Sequence, residues 1–554
     1  MFKKKKEFQT NKFWKRYEKG IDYITKKNIV ARTNKNWNFY VGRQWEGVQS
    51  GGEELPFLNF IKPTIKHKVS TVSQNNMVAN YSDAEGRTDL ETVYDRLNSL
   101  FSLCWEKTNM DMQLWATMKD AAITGDGLQF YGTKDVADMQ RISNASVLYG
   151  DESQTDMQKQ PYIIIVERLA VMDVKKMALE NGLPADEVRK IVSDQDTENV
   201  IGNRDEVDES TSSDNSKVTC IIHLEKKDGI VHMARATKQV VFYPERAISQ
   251  TKANGEEGKG LTLYPLVKIS WEDYPNSARG LSEVEQLIPN QLEINKTLAR
   301  RSQIIKLTAF PRVAYDGNLI ANPEDLEKVG APIEMQTGGV QSINQIISYL
   351  NPAQSNSDPK NYADDLLSMS QELSGSGETA MGNINPNRVA ASAIIAIRDQ
   401  AALPLNEQVA KMKTFVEDLA KLWVEIWATY NPNGIEVLIE DKDVYGDPIT
   451  RVEEITKKDL DEMKPNIRID TSQDNPWTKE AEQNWLDGVL KERHITFEEY
   501  IEASPEHGIV PKNKMETIVQ RRKNMQKAMG EQQIAQQARQ IWEAQDDNTQ
   551  QAMQ

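Results

Sequence analysis

The chain has 554 residues, enough for two to four domains with a sizeable core. A formal net charge of −16, with 27% charged residues, excludes a protein that grips nucleic acid over its whole surface but leaves room for a local basic patch. Two cysteines, Cys104 and Cys220, imply no disulfide framework and point to a reducing compartment, and no apolar run is long enough to predict a membrane span.

Residues 1–35 hold twelve Lys or Arg against Glu7, Glu18 and Asp22, with Phe8, Phe13, Trp14, Tyr17 and Tyr23 interleaved. No apolar run follows the lysines at 3–6, so no secretory signal is expected. The stretch reads either as an arm for nucleic acid or an acidic partner, or as an amphipathic helix with a solvated basic face. The pattern favours the helix. Residues 36–45 and 58–63 suit an aromatic helix end, a turn at Gly51-Gly52 and a second helix entering near Pro63, with Ile65, Val69 and Val72 inward. Residues 86–123 read as helix, stopping at Thr124-Gly125-Asp126-Gly127. Gly-Asp-Gly is read as a turn into a strand at 128–132 rather than a phosphate or metal loop.

Short β-rich runs follow at 162–166, 218–224, 229–234, 239–243 and 266–271, with a hairpin turn at Lys226-Lys227-Asp228-Gly229. Residues 185–216 are acidic and polar and read as a surface excursion, without the spacing of a calcium-binding loop. Gly280 opens a helix in which Ser282 and Glu285 have capping-box spacing. Leu281, Val284, Ile288, Leu292 and Leu298 form its apolar face, and Pro289 is placed to bend it. Its distal half carries Lys296, Arg300, Arg301 and Lys306, with no acidic residue after Glu293. These cations either offset the helix dipole or face a polyanion.

Residues 308–354 are broken by Pro311, Gly317, Pro323, Gly330, Pro332, Gly338, Gly339 and Pro352. They read as a small strand-rich module between two helices, the second over 362–373. A glycine-rich segment begins at Ser374. From Arg388 to Tyr430 a helical pattern follows, with Leu405, Val409, Met412, Val416, Leu419, Trp423, Ile426 and Tyr430 stepping by three or four. Such a helix would span about 65 Å. Pro404 predicts a kink within it. Strands are expected at 435–439 and 466–470, and helices over 477–554.

No phosphate-binding loop is present: Gly255-Glu256-Glu257-Gly258-Lys259-Gly260 lacks both the spacing and the hydroxyl residue. Ser374-Gly375-Ser376-Gly377 is not a nucleophile elbow. His67, His223, His232, His494 and His507 are scattered, and the cysteines form no ligand set. No catalytic residue, metal or cofactor is therefore expected.

The order of elements resembles the portal proteins of tailed bacteriophages. The resemblance rests on Tyr40-x-Gly42-x-Gln44-Trp45, Asn59-Phe60-Ile61-Lys62-Pro63, residues 121–127, Gly280-Leu281-Ser282-Glu283-Val284 reaching Asn295-Lys296-Thr297, and Arg388-Val389-Ala390-Ala391-Ser392-Ala393. It implies an α+β, predominantly helical fold. Residues 1–35 would be a basic arm, 36–279 and 431–475 the wing, 280–307 and 356–373 the stem helices, and 308–355 the clip. Residues 374–387 would be a tunnel loop facing DNA, 388–430 the kinked wing helix, and 476–554 a crown-like helical end. The implied loop residues are Ser374, Gly375, Ser376, Gly377, Glu378, Thr379, Asn383, Asn385 and Asn387. Lys296, Arg300, Arg301 and Lys306 are the stem candidates. The implied function is not enzymatic. It is a ring, usually of twelve copies, at a capsid vertex, assembled in the host cytoplasm and kept in the virion. Double-stranded DNA would pass through it, and the major capsid protein or scaffold, the terminase large subunit and a head–tail adaptor would dock on it; no membrane partner is implied. The alternatives are another head–tail or baseplate ring protein, or a soluble multidomain enzyme.

Overall fold

The computed structural model describes residues 12–49, 55–83, 90–133, 135–194, 217–251, 257–309, 313–315, 347–349, 358–375, 402–431, 433–442, 448–463, 465–473 and 485–503, with isolated residues between and after these. Among the described residues helix exceeds strand and every strand pairing is antiparallel, so the fold is α+β with helix predominating. Among the described residues no helix is long and apolar enough to cross a membrane.

The chain opens with α1 (Lys12–Lys26) and α2 (Ile29–Val41). On α1 the aromatic positions of the basic stretch face inward: Phe13, Trp14, Tyr17 and Ile24 are buried against Leu148, Ile164 and Ile221. The cations face out and pair locally, Lys12 with Glu245 at 2.8 Å and Arg16 with Glu225 at 3.1 Å. Residues 12–35 are thus an amphipathic, packed element; residues 1–11 lie outside the described ones.

Next come α3 (Ile61–Ser73), β1 (Asn75–Asp83), α4 (Glu91–Lys107) and α5 (Met110–Thr124). The single helical run expected over 86–123 is two helices. Asn109 takes φ 50° between them, a left-handed conformation that ends α4 and starts α5 on a new axis. Strand β1 is an element that the sequence reading lacked.

The strands β2 (Asp126–Phe130), β3 (Gln140–Ile142), β4 (Val147–Tyr149) and β5 (Tyr162–Ala170) lead to α6 (Val171–Glu180) and α7 (Ala185–Val188). Val188 and Ile191 are buried in a small cluster with Val174, so the start of the expected surface excursion is packed; residues 195–216 lie outside the described ones. Then follow β6 (Lys217–Lys227), β7 (Ile230–Ala236), β8 (Val241–Ala247), β9 (Ser249–Thr251), β10 (Glu257–Gly260) and β11 (Leu266–Ser270). A five-stranded sheet runs β4-β5-β6-β7-β8, and a three-stranded one β11-β2-β3. The β6–β7 hairpin turns at Asp228 and Gly229, both at positive φ, as a tight two-residue turn demands.

Helix α8 (Glu283–Ala309) contains Pro289. Beyond it β12 (Val313–Tyr315) pairs with β13 (Ile347–Tyr349), and α9 (Asp358–Leu373) returns. Helix α10 (Asn406–Tyr430) is the centre of the main core. Its predicted stripe is buried at Leu405, Met412, Val416, Leu419, Trp423 and Ile426, with Val409 and Tyr430 partly so. Trp423 sits among Phe101, Trp105, Tyr131 and Trp427, ring centroids 5.1–6.4 Å apart. Burying such rings is worth roughly 2–3 kcal/mol each. The chain ends its described part with β14 (Ile435–Lys442), β15 (Pro448–Ile455), α11 (Lys457–Glu462), β16 (Pro465–Gln473) and α12 (Phe497–Ala503). β16 pairs with β1 along its whole length, from Asn75↔Gln473 to Asp83↔Pro465, tying the segment after α10 to the start of the chain.

Candidate functional site

The sequence motifs at 40–45, 59–63, 121–127 and 280–297 converge on one place, the root of α8, while the one at 388–393 lies outside the described residues. Gly42 ends α2 at φ 101°, its N–H donating to the Asn38 carbonyl, a left-handed cap that suits glycine. The chain then turns so that buried Gln44 lies beside Asn295 of α8, which donates to it at 2.5 Å. One turn earlier on α8, the Gln291 side chain accepts from the Phe60 N–H at 3.1 Å and donates to the Leu58 carbonyl at 2.6 Å. Asn295 accepts from the Leu58 N–H at 3.2 Å. Both amides are fully buried, and together they clamp the backbone of the 58–60 segment as a neighbouring strand would.

The start of α8 is locked from the other side. Ser282 donates to the Ile123 carbonyl at 2.6 Å and accepts from Asn36 at 3.1 Å. It also accepts the Glu285 N–H at 3.3 Å, half of the expected capping box. The reciprocal half does not form, because the Glu285 carboxylate is engaged by Arg32 at 2.6 and 3.0 Å. Glu283 takes Lys68 at 2.6 Å and the Trp271 indole N–H at 3.1 Å. The Gly125–Gly127 turn is occupied internally: Asp126 accepts from Ser270 at 2.8 Å and from the Gly280 N–H at 3.0 Å. This supports the turn reading over a phosphate loop.

From this root α8 and α9 run antiparallel, Asn290 donating to Ser370 at 3.0 Å near the base, with the β12–β13 pair at the other end. At about 100° per residue, Lys296 and Arg300 lie within about 40° of each other on α8. Lys306 lies about 80° to their other side, and all three are exposed. Arg301 differs. It lies within about 20° of Asn290, on the side facing α9, and is half-buried. The four stem candidates therefore do not share one outward face. Arg300 has a partner at 3.7 Å, Glu293, in an exposed pair of little energetic weight.

The loop candidates divide as well. Ser374 is buried, its hydroxyl donating to the Gln371 carbonyl at 2.9 Å. Gly375 takes φ 69° and its N–H bonds the Glu372 carbonyl at 3.0 Å. These two residues close α9 rather than belonging to a loop. Gly377 follows them, half-exposed; Ser376, Glu378, Thr379, Asn383, Asn385 and Asn387 lie outside the described residues. Pro404 sits in a 3-10 turn, Leu403–Leu405, directly before α10, so the α-helix proper starts after the proline instead of bending through it. Most of the expected N-terminal part of that helix, 388–399, lies outside the described residues.

A cleft of about 580 Å³ lies between α10 and β11 and is lined by Lys268, Asp273, Lys411 and Asp418 among others. Its lysines are engaged, Lys411 with Glu407 at 2.7 Å and Asp273 at 3.2 Å, and Lys268 with the Ala278 carbonyl at 2.6 Å. Burial pushes the Asp418 carboxyl up, against the opposing pull of Lys421. The lining holds no histidine or cysteine. Among the described residues no group of His, Cys, Asp or Glu is arranged to hold a metal ion.

No protein-family model matches the chain, and no curated protein matches it.

Proposed function

We propose that this chain is the subunit of a portal-type ring at the capsid vertex of a tailed bacteriophage, a conduit for double-stranded DNA. The observation that carries the reading is the antiparallel α8–α9 pair. It springs from a tightly locked root, carries the β12–β13 pair at its far end, and returns to a glycine-closed helix end that leads into the 376–387 segment. A helical stem, a strand-bearing clip for the terminase large subunit and head–tail adaptor, and a loop near the channel would occupy those positions in that order. The wing would comprise the 36–279 and 431–475 segments that β1 and β16 join, and would face the major capsid protein or scaffold. The 476–554 region would form the crown.

Ring symmetry multiplies each exposed side chain by the number of copies, so one lysine becomes a full cationic belt. Tight binding would stall translocation, because every neutralised phosphate adds salt-sensitive affinity. A stem with few outward cations and a tunnel segment whose one charge is Glu378 suit passage rather than capture. The test is the mass and negative-stain image of the purified protein. A ring of about a dozen copies with a central hole supports the reading; a monomer or dimer overturns it. For the loop, Gly377→Pro is the informative change, since Gly375 at positive φ is a helix cap that proline would break. Gly377→Pro should leave the ring intact and impair DNA packaging; normal packaging would make the segment a connector.

A further inference from the structure

Helix α9 exposes an apolar row. Tyr362, Met369 and Leu373 are 51%, 59% and 86% exposed. At about 100° per residue they fall within about 40° of one another. The side of the helix adjoining this row on one flank is accounted for: Ala363 and Ser370 are buried, and Leu366 and Leu367 pack on the main core. Beside the apolar row runs an acidic one, Asp365 and Glu372, seven residues apart and both exposed. Among the described residues neither makes an ion pair, while α8 next door carries exposed Lys296 and Arg300 in line, four residues apart.

We infer that the acidic and apolar rows of α9 dock on the Lys296–Arg300 row of α8 in a second copy of this chain. The two flanks are complementary in charge, with Lys296 and Asp365 at one level. Counted from the Asn290–Ser370 contact at about 1.5 Å per residue, Lys296 lies about 9 Å and Asp365 about 8 Å along the hairpin, which offers an acidic, apolar flank on one helix and a basic flank on the other. Such unlike flanks make a head-to-tail contact, which closes into a ring when the rotation per copy permits. The apolar side chains supply burial, and the charges set register and partner choice. This inference rests on the ring reading and narrows it: Lys296 and Arg300 serve the neighbouring copy, and Lys306, on another side of α8, is left to face DNA.

Two charge reversals test it in the full-length protein. Lys296→Glu with Arg300→Glu should abolish the ring-sized mass, as should Asp365→Lys with Glu372→Lys. All four sites are exposed, so each variant should keep the wild-type helical circular dichroism. Mixing the two variants, or combining all four changes in one chain, should restore the ring. Loss of ring mass in each reversal with recovery on recombination supports the contact. A wild-type ring that persists through both reversals overturns the inference and leaves the ring reading standing, and so does loss without recovery. A monomeric wild type overturns both.

Discussion

At the scale of single residues, two positions show how little freedom the α8 root has. A Cβ on Gly280 would meet the Gly125 carbonyl oxygen at 2.6 Å, and one on Gly125 would meet the Gly280 oxygen at 2.5 Å, with Gly125 already at φ 102°. Both obstacles are backbone, so nothing flexible can yield. Gly280→Ala should lower stability by about 3 kcal/mol or more, and Gly125→Ala by at least as much, read as a fall in the urea midpoint. His223 offers a pH-dependent prediction. Its ring is 1% exposed between Phe13 and Tyr162, with Arg16 2.9 Å from Nε2. Burial, then the Arg16 charge, push its pKa down to about 4 from 6.5. The unfolded chain thus takes up this proton at higher pH than the folded one, so stability is full above pH 6.5 and falls as pH drops towards 4. Between pH 6.5 and 4.5 the loss should approach about 2 kcal/mol. Glu245 contributes little there: burial raises it, but Lys12 and Lys227 outweigh that and hold it at about 2, so its share of stability is lost mainly below about pH 4.5. His223→Phe keeps a ring in the stack and removes the titration. Its unfolding midpoint should lose the slope in that window, and an unchanged slope would assign the effect to other groups.

Among the elements, α8 is held by two amides as well as by its apolar face. Gln291→Ala with Asn295→Ala would remove the partners of the buried Phe60 N–H and of the part-buried Leu58 N–H and carbonyl. A buried orphaned group costs about 1–3 kcal/mol and one that water can reach costs less, so the pair should lose roughly 2–5 kcal/mol. Hydrogen exchange at residues 58 and 60 should accelerate while that of α10 changes only with global stability. The contrast with α10 explains what was legible in the sequence. The α10 stripe is one continuous period of large apolar residues against a large core, so position alone revealed it. β1 alternates as a strand should, with Met77, Ala79 and Tyr81 buried, but its Asn75, Asn76, Asn80 and Asp83 masked the signal. Its partner β16 is nearly four hundred residues away, beyond the reach of any local pattern. The join between α4 and α5 was hidden because Asn109 carries no Gly or Pro punctuation yet adopts the left-handed turn. The motifs around Gln44, Asn59 and Gly280 were visible as motifs, but only the fold reveals that they meet. Nothing in residue spacing foretold that Arg301 would turn towards α9, or that Gly375 would be spent on a helix cap.

For the whole molecule, the charge distribution sets the terms of any DNA passage. The chain is net acidic, so its outer surface repels phosphate, and local cations alone would guide a duplex. If Lys296 and Arg300 serve the neighbouring copy as proposed, with Arg301 turned to α9, Lys306 is the remaining outward cation of the stem candidates. In the proposed ring one lysine per copy would form a single belt. That belt would be enough to centre a duplex electrostatically and too little to hold it, since affinity grows with each phosphate neutralised at once. Lys306→Ala should therefore leave the mass of the assembly unchanged and weaken DNA retention. The salt dependence of that retention should also become shallower, because fewer counterions are released on contact. Lys306→Glu should go further and slow DNA entry, most at low ionic strength, where the Debye length is longest. Retention and packaging that match wild type at every salt concentration in both variants would remove Lys306 from the proposed channel wall.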